Sequence, residues 1–252
     1  IVEGDIFQAV ISQQFSLPQQ KDPLTVYRSL RNINPSPYMY FFNYADRYII
    51  GSSPEILVQS HHQKARVRPI AGTRKRSFKN EKALVDDLKS DQKEIAEHIM
   101  LVDLGRNDLG KVCEFKSIKM TDLMSIEKYS HVIHMVTNVE GKLMDNMTPI
   151  DLFKATFPAG TVSGAPKIRA IEIIQDIEPT NRDIYSGAVG YFNFDGEMDM
   201  CIAIRTIIAE NDRYYVQAGA GIVHDSDPES EYEETKSKAH GVLLACLEEV
   251  ST

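Results

Sequence analysis

The sequence contains no tryptophan and only three cysteines, Cys113, Cys201 and Cys246. So few cysteines, odd in number and widely spaced, argue against a disulfide framework or a cysteine-based zinc site and fit the reducing cytoplasm. No apolar run approaches the roughly 20 residues that a bilayer-spanning helix needs, and the start shows no signal-peptide pattern. Basic residues are also in deficit, with 28 Lys and Arg against 36 Asp and Glu. These absences argue against membrane insertion and against a nucleic-acid-binding surface.

The remaining composition is that of a globular protein. The chain has 252 residues, of which 42% are hydrophobic and 25% charged, which is enough to form a sizeable core. It begins Ile1-Val2-Glu3-Gly4-Asp5, without an initiator methionine and within an apparently amphipathic segment. We therefore expect residues 1–252 to be the C-terminal part of a longer polypeptide.

Two pairs of glutamates stand at helical spacing, Glu94 with Glu97 and Glu231 with Glu234. Carboxylates three residues apart project from one face of a helix and repel each other unless a cation lies between them. Two such helices would offer the oxygen ligands that Mg²⁺ prefers. The alternative is two acidic helix faces in contact with solvent.

The pattern along the chain predicts both helices and strands. We expect helices over residues 5–14, 80–102, 149–157 and 163–177, and a last helix that begins at residues 226–229 with capping-box chemistry. Residues 103–110 are predicted to form a loop and residues 38–68 an antiparallel meander. Residues 187–194, 198–210 and 213–223 predict three strands joined by tight turns. Together these elements predict an α+β fold, with antiparallel sheets packed in α/β/β/α layers and helices outside.

Three smaller features have more than one interpretation. Gly219 and Gly221 end a predicted strand, where their N–H groups form either an anion-binding nest or a tight turn. Arg205 lies in a predicted strand and either contacts solvent or lines a pocket. His134 lies between apolar residues and is either a core histidine or a base. Residues 159–167 fail the spacing of a phosphate-binding loop.

Seven segments, taken in order, resemble the chorismate-utilising enzymes. They cover essentially the whole chain and include the segments RPIAGTRKR (68–76), EIAEHIMLVDLGRNDLG (94–110), YSHVIHMV (129–136), FPAGTVSGAPK (157–167), YSGAVGYF (185–192), IAIR (202–205) and QAGAGIVHDSDPESEYEETKSKA (217–239). Within the family the chain is most similar to the anthranilate synthase branch, without that branch's N-terminal regulatory region. The resemblance implies conversion of chorismate and ammonia to anthranilate and pyruvate, in tryptophan biosynthesis.

The resemblance also implies roles for individual residues. Glu97 and Glu234 match the Mg²⁺ ligands, with Glu94 and Glu231 as neighbouring carboxylates that hold the metal directly or through water. Glu55 matches the general acid that protonates the departing C4 hydroxyl, and His134 matches the candidate base for the C2 proton. The matched substrate-binding positions are Gly72, Thr73, Thr161, Tyr185, Arg205, Gly219, Gly221 and Lys238.

Two single positions favour amination at C2 over related reactions. Family members that attack chorismate with water carry a lysine where this chain has Gln8, and many aminodeoxychorismate synthases carry a lysine where it has Ala71. Aminodeoxychorismate synthesis remains an alternative. So do a non-catalytic fragment that binds chorismate or a partner, and a metal-dependent hydrolase.

Regulation and partnership are also implied by the resemblance. Pro37, Tyr38 and Met39 match a stretch that lines a feedback tryptophan site, although a strand entry flanked by prolines explains the same residues. Since part of that site belongs to the N-terminal region, we expect tryptophan to bind a full-length protein and not this chain. A glutamine amidotransferase subunit is expected to supply the ammonia.

Overall fold

The computed structural model describes residues 1–76, 80–128 and 132–247. It contains thirteen strands and six helices in those ranges. The strands are β1 (Gln8–Pro18), β2 (Tyr38–Asn43), β3 (Tyr48–Ser53), β4 (Ile56–His61), β5 (Lys64–Val67), β6 (Ile70–Lys75), β7 (Lys119–Lys128), β8 (Val132–Lys142), β9 (Gly164–Ala165), β10 (Ala188–Phe192), β11 (Met198–Ile202), β12 (Thr206–Glu210) and β13 (Arg213–Ile222). The helices are α1 (Pro23–Ile33), α2 (Glu81–Ser90), α3 (Gln92–Gly110), α4 (Pro149–Thr156), α5 (Lys167–Ile177) and α6 (Pro228–Leu247).

The chain forms two compact units. One contains residues 1–55, 158–189 and 201–252, and the other contains residues 56–157 and 190–200. Each unit is therefore assembled from segments that are distant in sequence.

The first unit is built on a six-stranded sheet with strand order β2-β3-β12-β13-β1-β9. Strand β1 pairs antiparallel with β13 over ten residues, from Ala9 opposite Ile222 to Pro18 opposite Arg213. Helices α1 and α6 contact each other and this sheet. Their apolar side chains pack with those of β3, β12 and β13 in a fully buried cluster that includes Leu30, Ile50, Tyr214 and Val242. Burial of this apolar surface is the main stabilising contribution in the unit.

The second unit is built on a sheet with strand order β10-β11-β4-β5-β8-β6, and β7 pairs with β8. Leu88, Ile133 and Met135 are buried where α2 and α3 pack on β6 and β8. Helix α4 begins with a capping box, in which Thr148 and Asp151 each accept a hydrogen bond from the other's backbone N–H. Helix α4 packs against α3 and β4.

The predicted α+β class is confirmed, and so are α4, a helix at each glutamate pair and the hairpin strands 38–43 and 48–53. No helix in the described part of the chain combines the length and apolar character that crossing a membrane requires.

Several predicted elements were wrong. Residues 8–18 form strand β1 and not a helix, because the β1–β13 ladder outweighs the weak helical spacing of Ile6, Val10 and Ile11. The predicted loop 103–110 is the last part of α3, and α2 and α3 are separate helices divided at Asp91. Asp91 accepts hydrogen bonds from the N–H groups of Lys93 and Glu94 and so caps α3.

The predicted meander 38–68 is two hairpins in different sheets, since β3 pairs with β2 and β12 whereas β4 pairs with β5. Helix α5 begins at Lys167 after Pro166, and Ser163 instead ends a 3₁₀ turn at Gly160–Val162. Its hydroxyl donates to the carbonyl of Ala159. Ser163 is therefore not the cap of α5.

Candidate active site

Glu55 follows strand β3 in the first unit and is held by its backbone. Its carbonyl accepts a hydrogen bond from the N–H of Ile202 at 3.0 Å, and the hydroxyl of Ser53 donates to the carbonyl of Ile202 at 2.6 Å. Glu55 retains some exposed surface, but its carboxyl group lies deep in protein. This burial raises the pKa of Glu55 to about 7, which the Thr161 hydroxyl and the Lys238 charge only partly oppose. A carboxyl group with such a pKa holds a proton that it can donate near neutral pH.

Thr161 lies in the 3₁₀ turn Gly160–Val162. Its Oγ1 is buried and makes no well-aligned hydrogen bond within the part of the chain that the structure describes. The hydroxyl nevertheless lies near enough to Glu55 to stabilise its charged form. A buried hydroxyl so placed has hydrogen-bonding capacity left for a ligand.

Arg205 lies at a break between two strands, since β11 ends at Ile202 and β12 begins at Thr206. Its φ of 52° is in the left-handed region, so the strand predicted over residues 198–210 turns here and its two halves enter different sheets. The prediction that Arg205 lies within a continuous strand was therefore wrong. The guanidinium group donates from Nη1 to the carbonyl of Lys238, and burial lowers the pKa of Arg205.

Tyr185 and Gly219 approach each other closely. A Cβ atom built on Gly219 would lie 2.8 Å from the Tyr185 hydroxyl oxygen, so a side chain at this position would displace the phenol. Burial raises the pKa of Tyr185 to about 12, which keeps the phenol protonated as a hydrogen-bond donor. The guanidinium carbon of Arg182 lies 5.4 Å from the centre of the Tyr185 ring.

Lys238 connects helix α6 to strand β13. Its Nζ lies 3.0 Å from the carbonyl oxygen of Gly219 and 2.5 Å from Oε1 of Glu234. Glu231, one turn earlier on α6, accepts a hydrogen bond from the hydroxyl of Ser226 at 2.7 Å. The structure thus brings Glu55, Thr161, Tyr185, Arg205, Gly219, Glu234 and Lys238 into one network of near neighbours within the first unit.

Gly221 does not form the predicted nest at the end of a strand. Both Gly219 and Gly221 lie inside β13, opposite Ser12 and Val10 of β1. Residues 217–222 therefore continue the antiparallel ladder, and the strand ends only at Ile222. The prediction of a nest or a tight turn at the end of the strand was therefore wrong. The two glycines continue the strand and allow neighbouring groups to approach closely.

His134 and Gly72 lie close together in the second unit. Nδ1 of His134 lies 3.3 Å from the carbonyl oxygen of Gly72. Strands β6 and β8 shift register between Ala71 and Thr73, so that Gly72 occupies a bulge with a φ of 72°. The side chain of Thr73 lies outside the described part of the structure. The bulge positions the Gly72 carbonyl to orient the imidazole of His134.

Glu94 and Glu97 lie on the first two turns of α3, each partly buried. Arg74 of β6 donates from Nη1 to Glu94 at 2.8 Å and from Nη2 to Asp91 at 2.7 Å. A Cβ atom on Gly72 would lie 3.2 Å from Oε2 of Glu94, so the bulge and the carboxylate are adjacent. In each predicted glutamate pair at least one member is paired with a cation, Glu94 with Arg74 and Glu234 with Lys238.

Pro37 immediately precedes β2, and Tyr38 and Met39 are the first two residues of that strand. Tyr38 packs against the cluster around Tyr40 and Cys201, whereas Met39 packs against the cluster around Ile50 and Tyr214. The side chains of Tyr38 and Met39 thus contribute to two different packing clusters of the first unit.

Sequence reasoning missed a charged network behind Tyr185. The Glu178 side chain is 3% exposed and accepts hydrogen bonds from the N–H and hydroxyl of Ser12 and from Nε and Nη2 of Arg182. Arg182 also donates to the carbonyls of Val162 and Val10. The spacing of Glu178 and Arg182, four residues apart after a helix, is the one signal that could have indicated this pair.

Comparison with known proteins assigns the chain to a family. Residues 1–244 match the family of chorismate binding enzymes, and the chain belongs to that family. Anthranilate synthase component 1 from Neisseria meningitidis serogroup A is 54% identical over 247 residues, which cover 97% of this chain and 50% of that protein. This chain thus spans about half the length of that relative.

Solved structures agree with this assignment. The crystal structure of anthranilate synthase component I from Streptococcus pneumoniae matches with a TM-score of 0.91 and 49% identity, over 96% of this chain and 54% of that one. The menaquinone-specific isochorismate synthase MenF from Escherichia coli matches with a TM-score of 0.88 and 24% identity, over 98% and 58% of the two chains. The latter likeness shows the shared fold alone.

Proposed function

We propose that this chain carries the chemistry of an anthranilate synthase component I. It would convert chorismate and ammonia to anthranilate, pyruvate and water. The observation that carries the proposal is Glu55, a deeply placed carboxyl group with a pKa raised to about 7 beside Thr161, Lys238 and Tyr185. Similarity to anthranilate synthase component 1 over nearly the whole chain supports the same reaction.

Glu55 would act as the general acid. Amination of chorismate at C2 expels the C4 hydroxyl, a poor leaving group unless it takes up a proton as the bond breaks. A glutamic acid with an ordinary pKa would be ionised at neutral pH and could not donate that proton. Burial keeps the Glu55 proton in place, and the nearby Thr161 hydroxyl would stabilise the carboxylate that remains after the proton is donated.

Arg205, Lys238 and Tyr185 would hold the substrate. Chorismate carries two carboxylates, and this acidic chain needs local positive charge or hydrogen-bond donors to bind them. Arg205 is a partly buried guanidinium group and Tyr185 remains a phenol, so both can donate to the enolpyruvyl carboxylate. Gly219 leaves the space in which the phenol lies.

His134 would take the C2 proton when the ring becomes aromatic. The Gly72 carbonyl can only accept a hydrogen bond, so the neutral tautomer of His134 that donates to it from Nδ1 would take up the C2 proton on Nε2. Loss of that proton and departure of the enolpyruvyl group, which is released as pyruvate, leave anthranilate. His134 and Gly72 would thus contribute the second proton transfer.

The donor set fits Mg²⁺. Glu97 and Glu234 would hold the ion, with Glu94 and Glu231 bound directly or through water, and all four offer the hard carboxylate oxygens that Mg²⁺ prefers. Arg74 pairs with Glu94 and Lys238 pairs with Glu234, so a bound ion would compete with these two side chains. When bound, the ion would neutralise the ring carboxylate of chorismate and help to fix its position.

We further infer that a glutamine amidotransferase subunit supplies the ammonia. We also infer a cytoplasmic location, which the three free, buried cysteines support. Gln8 and Ala71 stand where a water-activating lysine and a nucleophilic lysine would be required for the related reactions. Feedback tryptophan would contact Pro37, Tyr38 and Met39 only in a longer polypeptide.

Incubation of the chain with chorismate, MgCl₂ and excess ammonium salt tests the proposal, with products separated by chromatography and detected by fluorescence and mass. Anthranilate and pyruvate in equal amounts are expected, and Glu55→Gln is expected to abolish them. Aminodeoxychorismate or isochorismate as the product would overturn it. If chorismate is unchanged but binds with Mg²⁺ in calorimetry, the chain is a binding fragment and the catalytic assignment fails.

A further inference from the structure

A cluster of two histidines and one glutamate lies in the second unit, outside every residue assigned above. His61 ends strand β4, His62 follows in the turn to β5, and Glu197 immediately precedes β11. Strands β4 and β11 are neighbours in the sheet, so these three residues meet where β4 ends and β11 begins.

The potential ligand atoms of the three side chains converge on a small region. Nδ1 of His61 lies 2.5 Å from Oε1 of Glu197, and Nδ1 of His62 lies 3.6 Å from the same oxygen. The two imidazole rings are 4.0 Å apart, centre to centre. Within residues 1–76, 80–128 and 132–247, this is the only group of three His, Cys, Asp or Glu side chains whose ligand atoms all lie within 4.8 Å of one another.

Hydrogen bonding alone does not account for this convergence. One Nδ1–H group can donate to Oε1 of Glu197 at 2.5 Å, but the second nitrogen is too distant for a good hydrogen bond to the same oxygen. The Glu197 carboxylate is itself held, because its Oε2 accepts from the amide of Asn193 at 3.2 Å and Asn193 Oδ1 accepts from the Glu197 N–H at 2.7 Å. A fixed carboxylate therefore faces two imidazole nitrogens.

The β4–β5 turn maintains this arrangement against local backbone preference. His62 and Gln63 have φ values of 47° and 63°, as in a type I′ turn, where asparagine and glycine are the usual residues. A non-glycine residue with a positive φ lies in an uncommon region of backbone conformation. The turn brings consecutive imidazoles together, although consecutive strand residues would point to opposite faces.

We propose that His61, His62 and Glu197 form a surface site for a divalent transition metal, with Zn²⁺ as the reference ion. Imidazole nitrogen and carboxylate oxygen in a two-to-one set suit Zn²⁺, Ni²⁺ or Cu²⁺ and not Mg²⁺. On binding, each ring carries its proton on Nε2, the metal takes the two Nδ1 lone pairs and one Glu197 oxygen, and water completes the coordination. The ion would tie the β4–β5 turn to the start of β11, and the site does not depend on the proposed activity.

Zinc binding by the whole chain, measured by competition with a chromophoric chelator in excess MgCl₂, tests the proposal. One high-affinity Zn²⁺ per chain is expected, and His61→Gln or His62→Asn should weaken it by about tenfold or more. His62→Asn is informative because asparagine favours the turn conformation, so this variant keeps the fold while it loses the imidazole.

His224→Gln is the matched control. His224 is exposed like His61 and its Nδ1 lies 2.8 Å from Oδ1 of Asp225, but it has no second histidine beside it in sequence. This variant should bind Zn²⁺ as the parent does, and ZnCl₂ should raise the unfolding temperature of the parent and of His224→Gln but not of His62→Asn. Equal zinc affinity in the parent and His62→Asn, or no binding by either, would overturn the proposal.

Discussion

Lys238 forms an ion pair with Glu234, one turn earlier on α6, with Nζ 2.5 Å from Oε1. The same Nζ also lies 3.0 Å from the carbonyl of Gly219. The glutamate proposed to hold Mg²⁺ is thus already neutralised by a lysine that is held against β13. Metal and lysine would compete for this carboxylate.

Replacement of Lys238 by methionine is therefore expected to raise Mg²⁺ affinity several-fold while it lowers chorismate turnover. Calorimetric titration with MgCl₂ checks the first expectation. Lys236→Met is the control, because Lys236 pairs with Glu233 at 2.6 Å on the same helix and its removal changes the net charge equally. Identical Mg²⁺ affinities in the two variants would mean that Glu234 does not hold the ion.

The raised pKa of Glu55 predicts that the stability of the folded chain depends on pH. Its pKa is about 7 in the folded chain and 4.5 ordinarily, so the folded state keeps a proton that the unfolded state releases. The stabilisation from the neutral carboxyl is complete below pH 4.5 and is lost as pH rises through 7. The loss is on the order of 3 kcal/mol, from 1.36 kcal/mol per pKa unit.

Glu55→Gln mimics the protonated carboxyl at every pH. We expect urea unfolding to show this variant close to the parent at pH 5 and more stable than the parent at pH 8. A constant difference between the two proteins across that range would contradict the raised pKa.

Gly72→Ala is expected to destabilise the second unit and disturb Glu94. The new methyl group would lie 2.8 Å from Cδ1 of Leu88 and 3.2 Å from Oε2 of Glu94, at a φ of 72°. Gly196→Ala provides the control, since Gly196 has a φ of 79° but nothing within 4 Å of its Cβ position. In both variants the positive φ lowers the free energy of unfolding. Crowding should lower it by about 1–3 kcal/mol more in Gly72→Ala alone. Equal losses in urea unfolding would show that Leu88 and Glu94 move aside freely.

Arg182→Met is expected to cost about 3–5 kcal/mol in unfolding free energy, because it leaves the Glu178 carboxylate buried without its cation. Arg169→Met, in an exposed pair with Glu172, should cost about 1 kcal/mol or less. The double variant Glu178→Gln with Arg182→Met should recover part of the loss. If it is no more stable than Arg182→Met, the buried charge is not the cause.

The sequence predicted well wherever the signal is local. The glutamate pairs lie on helices because spacings of three and four residues need no distant partner to be recognised. Helix α4 was found from Pro149 and Asp151, which are start signals close in sequence. The α+β class followed from the same local patterns.

Predictions failed where distant residues decide the structure. Residues 8–18 became a strand because β13, about two hundred residues later, pairs with them along their length. The left-handed turn at Arg205 lies inside an apolar run with no glycine, proline or asparagine to mark it. Local propensity is weak against a long antiparallel ladder, so such segments cannot be assigned from their own residues.

The sequence by itself determined the residue types of the site, the helices that carry its carboxylates and, through motif order, the family. The tertiary structure decided their chemical state. The carboxyl of Glu55 has a pKa near 7 only because folding surrounds it with protein, and Arg182 contacts Tyr185 only because Glu178 and two distant carbonyls hold it there. Burial and long-range contact set the energies of these groups, and neither is a property of neighbouring residues in sequence.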